Sequence, residues 1–177
     1  MSIFEIILIT AVFIVGASII FSTVKVGISP MPSSRKAYQA ILGLADVTGT
    51  GPIYDLGSGW GNLVIRLAKK YPNRQVVGYE LSFFPWLVTN LFKRVFGLSN
   101  LTLHRQDFLK ADLSNASVII CYLFPVVMAE IKTKLINGHS NLDFIISNNF
   151  ALPSYQASKV IRLTDFYKSP VYLYRIT

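Results

Sequence analysis

The sequence predicts an α/β fold: a mostly parallel sheet with an antiparallel C-terminal strand pair, preceded by one long apolar helix. Three observations lead there. From Ile53 onward, short β-branched runs alternate with helix-period segments, as in a sheet covered on both faces. A turn with alternating glycines, Gly57, Gly59 and Gly61, follows the first of those runs. Ahead of them all, no charged residue stands between Ile6 and Val24.

The apolar segment comes first. A bilayer-spanning helix needs roughly 20 largely apolar residues, so residues 3–24 are expected to form one transmembrane anchor. A cleaved signal peptide is the competing reading. It requires basic residues before the apolar run, where this chain has Glu5 and neither Lys nor Arg. Lys25, Arg35 and Lys36 follow closely, which by the positive-inside rule puts the remainder on the cytoplasmic side of a single-pass membrane protein. The lack of an Arg-rich presequence favours a prokaryotic inner membrane over a mitochondrial one.

Residues 25–34 contain "GISPMPSS" and read as a Gly/Pro/Ser linker; 35–177 then form the folded domain. Ala37, Ala40, Ile41 and Leu44 recur at helical spacing, and "TGTGP" ends that helix. "IYDL" is the first strand and Asn62–Lys70 a helix, with Lys69 and Lys70 at its negative end. "QVVGYE" is the second strand. Pro85–Phe96 is a helix whose apolar face is Leu87, Val88, Leu91 and Val95, stopped by Gly97. "LTLHRQ" and "SVIICYLF" are the third and fourth strands, followed by a helix over Val126–Ile136. "LDFIIS" is the fifth, and "KVIRLTDF" with "PVYLYRIT" form the antiparallel pair.

Composition narrows the partners. The chain is 52% hydrophobic with mean hydropathy +0.47 and a formal charge of +8. Its cations are scattered, with no run beyond pairs such as Lys69-Lys70 and Lys93-Arg94, so a lipid bilayer fits better than nucleic acid. Cys121 is the only cysteine and excludes an internal disulfide; it reads as a small buried hydrophobe. His104 and His139 have no Cys or His at ligand spacing, so no metal site is expected.

The glycine turn carries the chemistry. Ligands of such sheets bind at the carboxyl ends of the strands. The dinucleotide fingerprint G-x-G-x-x-G would put its third glycine at position 62, which is Asn62. Asp55, just before the turn, would repel a pyrophosphate and attract an ammonium. The turn therefore suits a zwitterion without phosphate, S-adenosylmethionine: backbone amides of Gly57, Ser58, Gly59 and Gly61 for its carboxylate, Asp55 for its amine. Glu80 ends the second strand and can accept both ribose hydroxyls, and Leu81 follows it. Asp107 ends the third strand, between Gln106 and Phe108; it can accept the adenine amine while Phe108 offers its N–H and ring edge.

"DLGSGWG", "VGYEL" and "HRQDF", with a fourth strand ending in an aromatic-proline turn, resemble a class I methyltransferase dependent on S-adenosylmethionine, whose sheet is Rossmann-like. Joined to the N-terminal apolar helix, "PMPSSRK", "PWLV" and "NFALPSY", they resemble more narrowly the FAM173-type protein-lysine methyltransferases. That resemblance covers nearly the whole chain. It implies a protein lysine as acceptor, of the kind found in the ATP synthase c-subunit or the adenine nucleotide translocase. Departures fall at the pocket rim: Trp60 where relatives carry Asp, Asn62 where they carry Arg, and an inserted Phe83-Phe84.

The acceptor end is expected at the fourth and fifth strand ends. Tyr122 is the candidate to orient the amine, with Phe124, Pro125, Asn148 and Asn149 around the substrate. No general base stands out. A small-molecule, lipid or quinone methyltransferase would share every cofactor residue, and a non-catalytic assembly protein would share the fold.

Overall fold

A computed structural model describes residues 1–26, 33–137 and 141–176. His139 and most of the linker lie outside these. α1 (Ile3–Val26) is a single helix, as expected. Among the described residues, however, no helix is long and apolar enough to cross a membrane. Side chains at 11, 14, 18, 19 and 21–26 are outside the described set, so the described part of α1 is shorter than a span. The helix is established; its role as an anchor is taken up below.

α2 (Arg35–Ala45) starts at Ser34, whose hydroxyl accepts from the Ala37 N–H and so satisfies one free amide of the first turn. Then follow β1 (Ile53–Leu56), α3 (Asn62–Lys70), β2 (Val76–Tyr79), α4 (Phe83–Val95) and β3 (Leu101–His104). A 3-10 turn (Phe108–Lys110) leads to β4 (Val118–Cys121), α5 (Pro125–Asn137) and β5 (Phe144–Asn148). β6 (Lys159–Arg162) and β7 (Pro170–Arg175) end the chain.

The sheet runs β3-β2-β1-β4-β5-β7-β6. Strands β1 to β5 are parallel, and β7 pairs antiparallel with both β5 and β6. Strand order reverses between β1 and β4, so the loops after those two strands face each other across a crevice. The register sets Asp55 opposite Gly78 on one side and Ile120 on the other.

β1, β2 and β4 are buried along their whole length, as central parallel strands must be. α2 and α3 cover one face, where Ile41, Leu44, Val64 and Leu67 pack on Ile53, Val76 and Val118. α5 and the 3-10 turn cover the other, where Phe108, Met128 and Ile131 meet Val77, Ile119 and Ile145.

α4 departs from expectation twice. It begins at Phe83, so the two extra phenylalanines form its first turn and Pro85 still sits where no helical N–H bond is needed. Its apolar stripe does not face the sheet: only Pro85 and Thr89 are buried, while Leu87, Leu91 and Val95 are exposed. No α4 side chain joins either core.

Candidate active site

The chain leaves β1 through Gly57-Ser58-Gly59-Trp60-Gly61. All three glycines have positive φ (85°, 53° and 78°), a region costly for any side chain. Gly61 is fixed by crowding as well: a Cβ there would lie 2.4 Å from Thr89 Cγ2. This contact is the seam between α3 and α4.

Loop amides serve the protein itself. Gly57 and Ser58 N–H donate to the Tyr79 carbonyl at 3.0 and 2.8 Å, and Gly61 N–H to the Ser58 carbonyl at 2.9 Å. Gly59 N–H donates to Glu80 Oε2 at 2.9 Å. The expectation that these four amides hold a ligand carboxylate is therefore corrected: each already has an acceptor. What remains open is the N-terminus of α3, which has no side-chain cap. Glu80 takes a second amide, Ser82 N–H on Oε1 at 2.7 Å, and so ties the glycine turn to the start of α4. Each of its oxygens keeps a further lone pair for a ligand hydroxyl.

A cavity of about 980 Å³, open mouth included, lies over these strand ends. Asp55, Gly57, Ser58, Gly59 and Trp60 line it from the turn; Glu80 and Leu81 line it from β2. Gln106, Asp107 and Phe108 complete that side. Gly61 stands behind the lining, against Thr89. Asp107 Oδ1 accepts from Leu109 N–H at 2.9 Å, which fixes the carboxylate at the head of the 3-10 turn.

Three carboxylates line this cavity, and among its lining residues there is no Lys, Arg or His. Such a wall repels phosphate and accepts donors and cations. Ser58 Oγ is buried with no hydrogen-bond partner, an orphan that a polar ligand would satisfy. Three acceptors for amine and hydroxyl groups, free amides at α3 and this hydroxyl fit a sulfonium amino-acid nucleoside. Asp55 adds a refinement. Burial, then the neighbouring Glu80 carboxylate, push it up to about 7. An approaching ammonium favours its ionised form, so ligand binding and proton release are coupled there.

At the other end, Tyr122 and Asn148 line the cavity. Asn148 Nδ2 donates to Ser33 Oγ at 3.1 Å, which draws the chain before α2 onto the end of β5. Ser33 and Tyr38 are lining residues that the sequence reading missed. Tyr38 falls on the same helical stripe as Ile41 and Ala45, so an aromatic hydroxyl on α2's inner face was the available signal. Burial, then Asp55, raise its pKa, while a hydrogen bond with Asn62 opposes the shift.

The other expected substrate residues stand apart. Phe124 is half-exposed and rests on Phe150, ring centroids 5.4 Å apart, while Phe150 stacks on Tyr122 at 6.0 Å. Pro125 opens α5 and does not line the cavity. Asn149 turns the chain at φ 69° and its N–H donates to the Pro170 carbonyl, away from the lining. Cys121 is buried in the cavity wall, and burial pushes its thiol up to about 12. His104 stacks on Tyr79 at 5.2 Å. Among the described residues no group of three His, Cys, Asp or Glu side chains stands together as a metal site would.

A family model for the ANTKMT methyltransferase domain matches residues 55–159. The chain is 27% identical over 150 residues to a protein-lysine N-methyltransferase of Saccharolobus islandicus (strain REY15A), across 82% of this chain and 92% of the relative. It is 32% identical over 114 residues to the adenine nucleotide translocase lysine N-methyltransferase of Mus musculus, across 63% of this chain and 48% of that protein. The chain thus spans about half the length of the mouse relative. Among solved structures it is similar to an RNA methyltransferase from Salinibacter ruber in complex with S-adenosyl-L-homocysteine. The TM-score is 0.71 and the identity 27%, covering 82% of this chain and 94% of that one.

Proposed function

The chain belongs to the ANTKMT methyltransferase-domain family and is an S-adenosylmethionine-dependent methyltransferase, and we propose that its acceptor is a lysine side chain of a protein in or beside a membrane. The observation that carries the acceptor class is the likeness to a protein-lysine N-methyltransferase over nearly that protein's full length. The mouse relative, named for a lysine of a membrane carrier, supports the membrane half.

When bound, S-adenosylmethionine supplies an electrophilic methyl group on a sulfonium. In our reading Glu80, Asp55 and Asp107 hold its hydroxyls and amines, and Ser58 Oγ and the α3 amides hold its carboxylate. The protein's remaining task is to present a neutral amine, against a free lysine pKa near 10.4. Leu123 and Cys121 make one wall apolar and water-poor, which opposes the ammonium form. Tyr122 and Asn148, on the lining, are the proposed groups that accept from the amine and aim it. Alignment supplies much of the rate: a nucleophile held in line is worth several orders of magnitude.

Localisation is part of the proposal. α1 is 24 residues long, or roughly 36 Å at 1.5 Å per residue, enough to span a bilayer. Its described side chains Ile3, Phe4, Ile7, Leu8, Val12 and Phe13 are all exposed, an arrangement water does not favour. We read α1 as a single-pass anchor with the catalytic domain on the cytoplasmic side.

The full-length chain, given native membranes and S-adenosylmethionine labelled on the methyl, tests this. Label recovered as N-methyl-lysine in protein is the expected result; label confined to lipid or quinone extracts overturns it. A second reading, methylation of RNA, rests on the Salinibacter neighbour and the charge of +8. Label in nucleic acid that survives protease would select it.

A further inference from the structure

α4 is inside out. Along it run two adjacent apolar rows, Phe83, Leu87, Leu91 and Val95 in one, and Phe84, Val88, Phe92 and Phe96 continuing past its end in the other. The first row faces away from the sheet, with Leu91 59% and Val95 68% exposed; in the second, Phe84 and Val88 are half-buried and Phe92 and Phe96 are exposed. Thr89, which is polar, faces inward: its Oγ1 donates to the Pro85 carbonyl, while Asn90 is half-buried with Nδ2 donating to the Trp86 carbonyl.

Charge identifies the occupant. From Leu81 to Gln106 there is no acidic residue, while Lys93, Arg94 and Arg105 stand among the apolar side chains. Lys69, from α3, lies over the Phe96 ring at 3.2 Å, and Arg105 over the Phe83 ring at 5.4 Å. None of these four cations forms an ion pair among the described residues. An apolar strip rimmed by unpaired cations matches an anionic bilayer surface, whose headgroups meet the cations while its acyl boundary takes the rings. α1 packs directly on α4, so the strip lies beside the exposed apolar side chains of the N-terminal helix, Ile3, Phe4, Ile7 and Leu8 among them.

We propose that the outer face of α4 is a docking surface for an anionic lipid bilayer, on which α4 lies in the plane of the interface beside α1. α4 starts directly after Glu80, Leu81 and Ser82, which line the cavity. Docking there holds the cavity at the membrane surface and selects acceptors presented at that depth. The inference rests on the reading of α1 as an anchor and adds a second contact to it.

The experiment uses the full chain in vesicles of phosphatidylcholine, alone or mixed with phosphatidylglycerol. Cys121 is 2% exposed, so an introduced cysteine is the accessible thiol. An environment-sensitive fluorophore is placed at Leu91→Cys or, as control, at Val126→Cys on α5, a site 72% exposed. The expected result with phosphatidylglycerol is a blue shift and quenching by lipid-borne quenchers at position 91, and neither at 126. Lys93→Glu with Arg94→Glu abolishes that quenching while the chain still floats with the vesicles. A chain that floats while its position-91 probe stays open to aqueous iodide overturns the inference and leaves the anchor standing. A chain that does not float overturns both. Thiol cross-linking between two position-91 sites, at a yield unaffected by lipid dilution, assigns the face to self-association and also overturns the proposal.

Discussion

α3 and α4 follow successive strands, carry similar apolar stripes and end in the same basic pair pattern, yet they use those stripes in opposite directions. α3 turns Leu63, Val64, Leu67 and Ala68 into the core. α4 turns Leu87, Leu91 and Val95 away from it. The difference shows what each helix does. α3 fixes the glycine turn to the sheet and must therefore be rigid. α4 is held at its first turns by Glu80 and Thr89 and leaves its apolar rows free for another surface.

That contrast can be broken at several points. Leu67 is fully buried, so Leu67→Ala is expected to cost about 3 kcal/mol through the cavity it leaves. Thermal melts should fall by about 6–12 °C. A change of a degree or less would mean that α3 is not the structural helix. Gly61→Ala tests the seam. Positive φ and the clash with Thr89 together are expected to cost about 2 kcal/mol or more. Adding Thr89→Ala should recover only part, since the backbone strain stays; full recovery would deny the strain.

Asp55→Asn should act in the opposite direction on stability. The folded carboxyl keeps its proton up to about 7, against an ordinary aspartate value of 3.8. Between those values the folded state binds more protons than the unfolded, so stability falls as pH rises, and the penalty is complete above pH 7. The variant should therefore be more stable than the parent at pH 8 and little changed at pH 4. Calorimetry should show its affinity for S-adenosylhomocysteine reduced and no longer rising with pH through about 7. A retained pH dependence would move that titration elsewhere. Smallest of all, Leu91→Gln should shift stability in detergent by less than about 0.5 kcal/mol, because the side chain has no core to leave. A loss comparable to that of Leu67→Ala would show that α4 is packed after all.

Much of the site was legible in the chain. The order of strands and helices, the positive-φ glycines and the acids at three strand ends follow from local rules, since turn chemistry and alternation are properties of short segments. Asp55, Glu80 and Asp107 reach one cavity because the parallel register puts successive strand ends at one edge. Ser33 and Tyr38 were hidden because they enter from before the first strand, Ser33 through Asn148 at the end of β5. Asn149 looked equivalent to Asn148 by position, but adjacent residues at a strand end point in different directions; Phe124 and Pro125 lie past the end of β4, where the chain already turns into α5.

The sequence by itself determined the α/β alternation, the glycine turn, the ligand's charge preference and the apolar N-terminal helix, because each depends on residues near one another in the chain. Only the tertiary structure decided that the loop amides are spent on Tyr79 and Glu80, that Asp55 is buried enough to hold a proton near neutrality, and that α4 faces outward. Periodicity tells that a helix has an apolar side; which way that side turns is settled by what packs beneath it, and here Thr89 against the Gly61 turn takes the inner position.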